Sequence, residues 1–208
     1  MMKILKNIIA PFYTKKSAPH DISLHTHTHP GRRPEALILS LDLPSGAPLI
    51  LHRATQGVLA DFLDPPGTMI NDLYLIIHAV EGLPGGSYVF DRDQQRLELL
   101  QAGNFRDRAG YLGLEQQLPA DASVDVFLLA DLETVLQRYG NRGYRAAQLE
   151  GGLIGGKLYL GAYAQRIGAS GLTFFDDDVT DFFSPHAEGK SVMFLVALGH
   201  PVRRKLVG

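Results

Sequence analysis

An α+β domain, with a central mixed β-sheet flanked by helices, is what this 208-residue sequence predicts. Apolar, β-branched runs of strand length alternate along the chain with amphipathic helical segments. Two such runs are joined by a polar loop in the manner of a hairpin, which makes part of the sheet antiparallel. The composition, 45% hydrophobic and 20% charged with 22 Gly and 12 Pro, supplies one sizeable core and many turns.

Residues 1–36 read as an irregular N-terminal arm and residues 37–208 as the folded domain. Residues 37–43 partly alternate and predict a strand closed by Pro44-Ser45-Gly46. Residues 49–62 predict a partly helical segment that Asp64-Pro65-Pro66-Gly67 breaks. The apolar run 73–80 predicts a strand buried on both faces. After the turn at Gly82-Leu83-Pro84-Gly85-Gly86, segments 87–90 and 96–100 flank Asp91-Arg92-Asp93-Gln94-Gln95 as a hairpin with a longer loop. Residues 124–130 are a further core strand. Asp131 is a natural N-cap for a helix over 132–139, with Glu133 in its first turn.

The longest periodic segment, 144–167, predicts a helix with Leu149, Leu153, Gly156, Leu160 and Ala164 on or near one face. Gly151, Gly152, Gly155 and Gly156 lie inside it, each costing about 1 kcal/mol relative to Ala. Either they permit a neighbour to approach closely, or they split the helix in two. Gly168 predicts the helix C-terminus, and 172–175 read as a short strand. Asp176-Asp177-Asp178 open a short helix over 179–183, where carboxylates suit the N-terminal dipole. Residues 190–199 form the last strand, and no internal repeat is visible.

Lys+Arg 20 against Asp+Glu 22 gives a net charge of −2, so no basic field favours a nucleic acid or an anionic membrane. The absence of cysteine excludes disulfides, thiolate metal sites and cysteine nucleophiles. The first apolar stretch is interrupted by Lys6 and Asn7 and stops at Pro11, short of a signal peptide, and no window approaches a membrane span. A cytoplasmic location is the default expectation.

From Asp72 onward the residues resemble a known family. The run 72–84, then Gly86-Ser87-Tyr88-Val89-Phe90, is similar to the strand–turn–hairpin of SagB-type dehydrogenases. These are a branch of the nitroreductase-like FMN enzymes that includes azoline oxidases of peptide natural-product pathways. The resemblance continues through residues 138–145, the Leu149-Glu150 helix, residues 168–173, residues 175–178, and Val196-Ala197-Leu198-Gly199-His200-Pro201, so that roughly residues 49–205 are covered. It implies an α+β sandwich, an intertwined homodimer and FMN at the subunit interface. The chain departs from the family pattern in its front half. Arg32-Arg33-Pro34 stands where an Arg-rich opening usually grips the phosphate, and Pro66-Gly67-Thr68-Met69-Ile70-Asn71-Asp72 replaces a Pro-Ser-Gly-Gly stretch. Arg138-Tyr139 stands where the azoline oxidases carry Lys-Tyr.

FMN requires cations for its phosphate, open backbone near its ring and a largely apolar cleft. The resemblance points to Arg203, Arg204 and Lys205 as phosphate-binding cations, the other reading being a solvated basic tail. It points to Ser170 and Gly171 as a loop approaching the ring, the other reading being a simple cap and turn. Tyr139 is the candidate acid/base beside Arg138, and Arg142, with Arg145, is a candidate anion ligand. Otherwise Tyr139 packs, and the arginines pair with Glu133 or Glu150. Glu150 itself could pair with Arg145 or Lys157. His25, His27 and His29 could chelate a divalent metal in an extended arm, but no acidic ligand at the right spacing supports it, and no metal is expected. The resulting expectation is a homodimeric FMN-dependent oxidoreductase, taking hydride from NAD(P)H or an azoline-type substrate. The alternative is a flavin-free scaffold or binding module on the same fold.

Overall fold

The computed structural model describes residues 49–57 and 59–200. The expected strand at 37–43, the arm with its histidines, and the cations Arg203, Arg204 and Lys205 lie outside the described residues. The elements run α1 (Leu49–Ala54), β1 (Asn71–Ile77), β2 (Gly86–Asp91), β3 (Arg96–Ala102), α2 (Arg106–Leu112), α3 (Gln117–Asp121), β4 (Val124–Ala130), α4 (Leu132–Tyr139), α5 (Gly143–Ala164), β5 (Gly168–Leu172), α6 (Asp176–Phe183) and β6 (Ser191–Gly199).

The six strands form one sheet in the order β3-β2-β1-β4-β6-β5. The α+β class stands. The sheet was expected to be mixed, but every pairing among the described strands is antiparallel. β1 and β4 sit at the centre because their sequences are apolar on both faces, and all seven residues of β4 are buried. Period-2 alternation divides them between two cores. Leu73, Leu75, Ile77, Val124, Val126 and Leu128 pack beneath α1 and α5, against Ile50, Leu51, Ile154 and Leu158. Tyr74, Ile76, Phe127 and Leu129 pack on the opposite side against Ala109 and Leu112 of α2 and Val179 and Phe183 of α6. The molecule is therefore helices, sheet, helices.

Local chemistry fixes the connections. The β2–β3 loop closes on Asp91, whose Oδ1 accepts from the backbone N–H groups of Asp93 and Gln94, each at 2.9 Å. The edge strand β3 is largely exposed and carries an Arg96–Glu98 ion pair at 2.6 Å. Asp131 caps α4 as expected, its Oδ1 accepting from Thr134 N at 3.0 Å.

The long helix α5 is unbroken across its glycines, and its packed face is not the one that the apolar spacing suggested. Ala147, Glu150, Gly151, Ile154, Gly155, Leu158 and Ala162 are buried. Leu149, Gly156, Leu160 and Ala164 face outward instead, with Leu160 62% and Tyr163 80% exposed. Close approach applies at Gly155, where an added Cβ would lie 2.4 Å from the Phe194 ring, but not at Gly152 or Gly156, which face open space. The helix also ends earlier than Gly168. Arg166 takes the left-handed conformation (φ 60°), with Ile167 N donating to Ala162 O and Arg166 N to Tyr163 O, both at 3.0 Å. That is a Schellman closure, sealed by Ile167 entering the core beside Ala162. Gly168 is thereby free to start β5.

Gly155→Ala is expected to destabilise the fold by about 1–3 kcal/mol through overpacking against Phe194. Chemical denaturation of this variant beside the wild-type protein measures it.

Candidate functional site

The sequence-predicted residues fall at separated places. Tyr139 and Arg138, at the end of α4, both engage the backbone of Asp64. The Tyr139 hydroxyl donates to Asp64 O at 3.1 Å and accepts from Asp64 N at 3.3 Å. Arg138 Nη2 donates to the same carbonyl, and its guanidinium stands 5.4 Å from the centre of the Tyr139 ring. Arg142, in the 3-10 turn Gly140–Arg142, is exposed and makes no ion pair among the described residues. Neither Arg142 nor Arg145 pairs with Glu133 or Glu150, and Lys157 donates to the Gln56 carbonyl.

Ser170 and Gly171 are strand residues of β5, paired with Ala197 and Val196, where a loop or cap was expected. The early closure of α5 is the cause. Gly171 donates its N–H to the Tyr159 hydroxyl, and a Cβ there would come 3.0 Å from the Phe194 ring. Gly171 thus lies alongside Tyr159, on the order of 25 Å along α5 from Arg142 at about 1.5 Å rise per residue. One copy of the chain does not bring its Arg138–Arg142 group and its Ser170–Gly171 pair together.

Three polar clusters were not anticipated. Glu150 is 1% exposed, and its Oε2 accepts from Ile70 N (3.1 Å), Asn71 N (2.8 Å) and Asn71 Nδ2 (2.8 Å). The three N–H groups lie at or just before the start of β1 and all meet the same oxygen, while Oε1 is buried without a partner among the described residues.

A cleft of about 350 Å³ is bordered by Asp72, Arg92, His186 and Lys190. Asp72 binds Arg92 at 2.9 Å and Lys190 at 2.8 Å. Lys190 also reaches the Tyr74 hydroxyl at 2.9 Å, and that hydroxyl meets His186 Nδ1 at 2.9 Å. Burial opposes ionisation of Asp72, but its bonds to Lys190 and Arg92 outweigh it and hold the carboxyl below its ordinary value. Burial raises the Tyr74 phenol.

A second cleft, of about 380 Å³, opens at the other end of the sheet beside Ile77, His78, Gly85, Gly103, Asn104 and Arg106. Here His78 Nε2 lies 3.0 Å from Asp125 Oδ2, with the two side chains 1% and 0% exposed. Burial, reinforced by the Arg106 charge, drives His78 down to about 3, and burial pushes Asp125 well above the carboxylate range. Both shifts favour the uncharged forms of the two groups. None of the predicted site residues within the described chain borders either cleft.

No protein-family model matches the chain, and no curated protein matches it. Solved structures do. A protein assigned as a nitroreductase from Anabaena variabilis superposes with TM-score 0.69 at 26% identity, covering 83% of this chain and 37% of that one. One assigned likewise from Ralstonia eutropha gives TM-score 0.61 at 17% identity over 83% of this chain and 77% of that one. The E. coli microcin synthetase McbBCD complex with truncated pro-MccB17 bound contains a chain at TM-score 0.63 and 15% identity, covering 94% of this chain and 81% of that one. The domain therefore has the nitroreductase fold. The chain spans little more than a third of the Anabaena variabilis protein. Among the described residues no helix is long and apolar enough to cross a membrane.

Two outcomes follow from the buried groups. Glu150→Ala leaves three N–H groups without an acceptor and is expected to cost about 3 kcal/mol or more, measured by urea unfolding. Burial keeps the His78 imidazole neutral in the folded chain, whereas the unfolded chain takes up a proton there below pH 6.5, so the stability tied to this residue is lost as the pH falls from 6.5 toward about 3. His78→Gln cannot take up that proton. Relative to wild type, its stability should gain by about 1.4 kcal/mol per pH unit on acidification through that range. Urea midpoints across that range measure the slope.

Proposed function

We propose that the chain is an FMN-dependent oxidoreductase acting as a homodimer, two copies meeting along the outward stripe of α5 with the flavin at the seam. The observation that carries this reading is that stripe. Leu149, Gly152, Gly156, Leu160 and Tyr163 recur at helical spacing on the exposed face. A helix apolar on both sides is normally covered on both sides. A two-fold axis perpendicular to α5 would pair the helices antiparallel. It would carry the Arg142 end of one copy toward the Ser170–Gly171 edge of the other, joining what a single chain separates.

The residues suit a phosphorylated aromatic ligand at two points. Arg142 offers a guanidinium with no ion pair among the described residues, a fork suited to phosphate, with Arg203, Arg204 and Lys205 as further cations. Gly152 and Gly156 have nothing within 4 Å of an added Cβ, leaving backbone open to a flat ring. Ser170 adds a hydroxyl at the β5 edge. Bound FMN would supply hydride transfer, taking from NAD(P)H or an azoline-type substrate and passing on in a second step. Tyr139 holds its proton against Asp64 O, so it serves as acid only by giving up that bond, while Arg138 fixes the ring. A dimer seam buried on both sides would exclude water from the reacting atoms.

A second reading, a flavin-free scaffold on this fold, is favoured by one group of contacts. Tyr139 and Arg138 are both committed to the Asp64 backbone, and the Gly171 N–H is committed to Tyr159.

The visible spectrum and oligomeric state of the purified full chain separate them. A yellow dimer is expected, with Gly156→Glu giving a colourless monomer and Arg142→Ala weakening FMN about 10-fold, the loss of one charge-assisted contact. A colourless dimer that fails to take up FMN on reconstitution overturns the flavin reading in favour of the scaffold.

A further inference from the structure

We propose that the cleft beside His78 and Arg106 binds an oxyanion, the carboxylate or phosphate group of a small ligand, held between the Arg106 guanidinium and the His78 imidazole. The wall of this cleft presents one cation and no anion: Ile77, His78, Gly85, Gly103, Asn104 and Arg106 border it, and the Asp125 carboxyl stands behind the imidazole, wholly buried.

Arg106 and His78 are each fixed from behind by a buried partner. Arg106 Nη1 donates to Ala120 O at 2.6 Å and Ala122 O at 3.1 Å, which pins the guanidinium and leaves Nη2 and Nε without a partner among the described residues. A planar fork held that way presents two parallel donors, the geometry that matches carboxylate or phosphate. His78 is oriented by Asp125 through Nε2, and its Nδ1 is buried with no partner. Buried polar atoms are nearly always satisfied, so an orphan at the wall of a cleft marks a position that a bound group fills. Asn104 turns its Oδ1 to Arg106 N at 3.3 Å, leaving its amide N–H₂ as a further donor. Gly85 and Gly103 join β2 and β3 at the rim through Gly103 N to Gly85 O at 3.0 Å. A Cβ on Gly103 would come 3.0 Å from the Phe105 ring. The site is thus built from donors supported by their own second partners, and it lies at the Ile77 end of the sheet, away from Arg138, Tyr139 and Arg142. It stands independently of any flavin.

The test is a titration of the isotope-labelled full chain with inorganic phosphate and, separately, with acetate, following the Arg106 side-chain N–H and the His78 imidazole by NMR. Saturable binding that shifts both signals is expected, weakened about 10-fold or more by Arg106→Gln. Asn104→Asp, an exposed change that keeps the acceptor for Arg106 N and replaces the amide donor by a carboxylate, should weaken it as well, and this keeps the test decisive should the arginine variant not fold. The tighter of the two probes identifies the source of the anion. Absence of saturable binding, binding retained in either folded variant, or an unmoved His78 signal, the mark of a buried water only, overturns the proposal.

Discussion

A single carboxylate, buried where a helix crosses the start of a strand, sets the geometry of the rest. Glu150 places one oxygen on the N–H groups of Ile70 and Asn71 and on the Asn71 amide, and so ties α5 to the first residues of β1. A helix held at one residue is also held in rotation. With Glu150 turned to Asn71, the residues one and two turns on, Ile154 and Leu158, must face the sheet, and Gly151 and Gly155 pass close over Met193 and Phe194. The outward stripe of Leu149, Gly156 and Leu160 follows from the same rotation. Leaving three buried N–H groups without their acceptor is among the costlier changes a fold meets, which makes this contact hard to vary.

The strands and the hairpin were legible because burial on both faces leaves an unambiguous apolar run: residues 124–130 are both the expected and the observed strand β4. The Asp131 cap was legible for a similar reason, since its chemistry is local. The orientation of α5 was not. Its apolar residues lie all round, so spacing selected Leu149, Leu153, Gly156, Leu160 and Ala164, whereas the decisive residue was a charged one that composition places at the surface. The end of α5 misled in the same way, because Arg166 rather than a glycine took the left-handed position.

The clefts were partly legible. His78 and Asp125 are lone polar residues inside two apolar runs of the chain, and a polar group in a core strand must find a partner. Their adjacency follows only once β1 pairs with β4, which no spacing within either run discloses. The Asp72–Lys190 contact joins residues 118 positions apart and had no local signal. The residues proposed from family likeness, Arg138, Tyr139, Arg142, Ser170 and Gly171, are separated by the length of α5, a distance that a linear motif does not encode.

The sheet thus has two chemically distinct ends, an ion-paired one at Asp72 and Lys190 and a desolvated His–Asp pair at the other, with seven buried residues of β4 running between. Its outer margin has a character of its own. β3 ends the ladder of described strands with half its backbone groups unpaired, an invitation to any extended chain that passes. Arg96 and Glu98 stand on that margin as opposite charges joined to each other, so an arriving strand would have to strip water from both before zipping on. Two surface side chains of little consequence for stability thereby raise the cost of pairing along this edge.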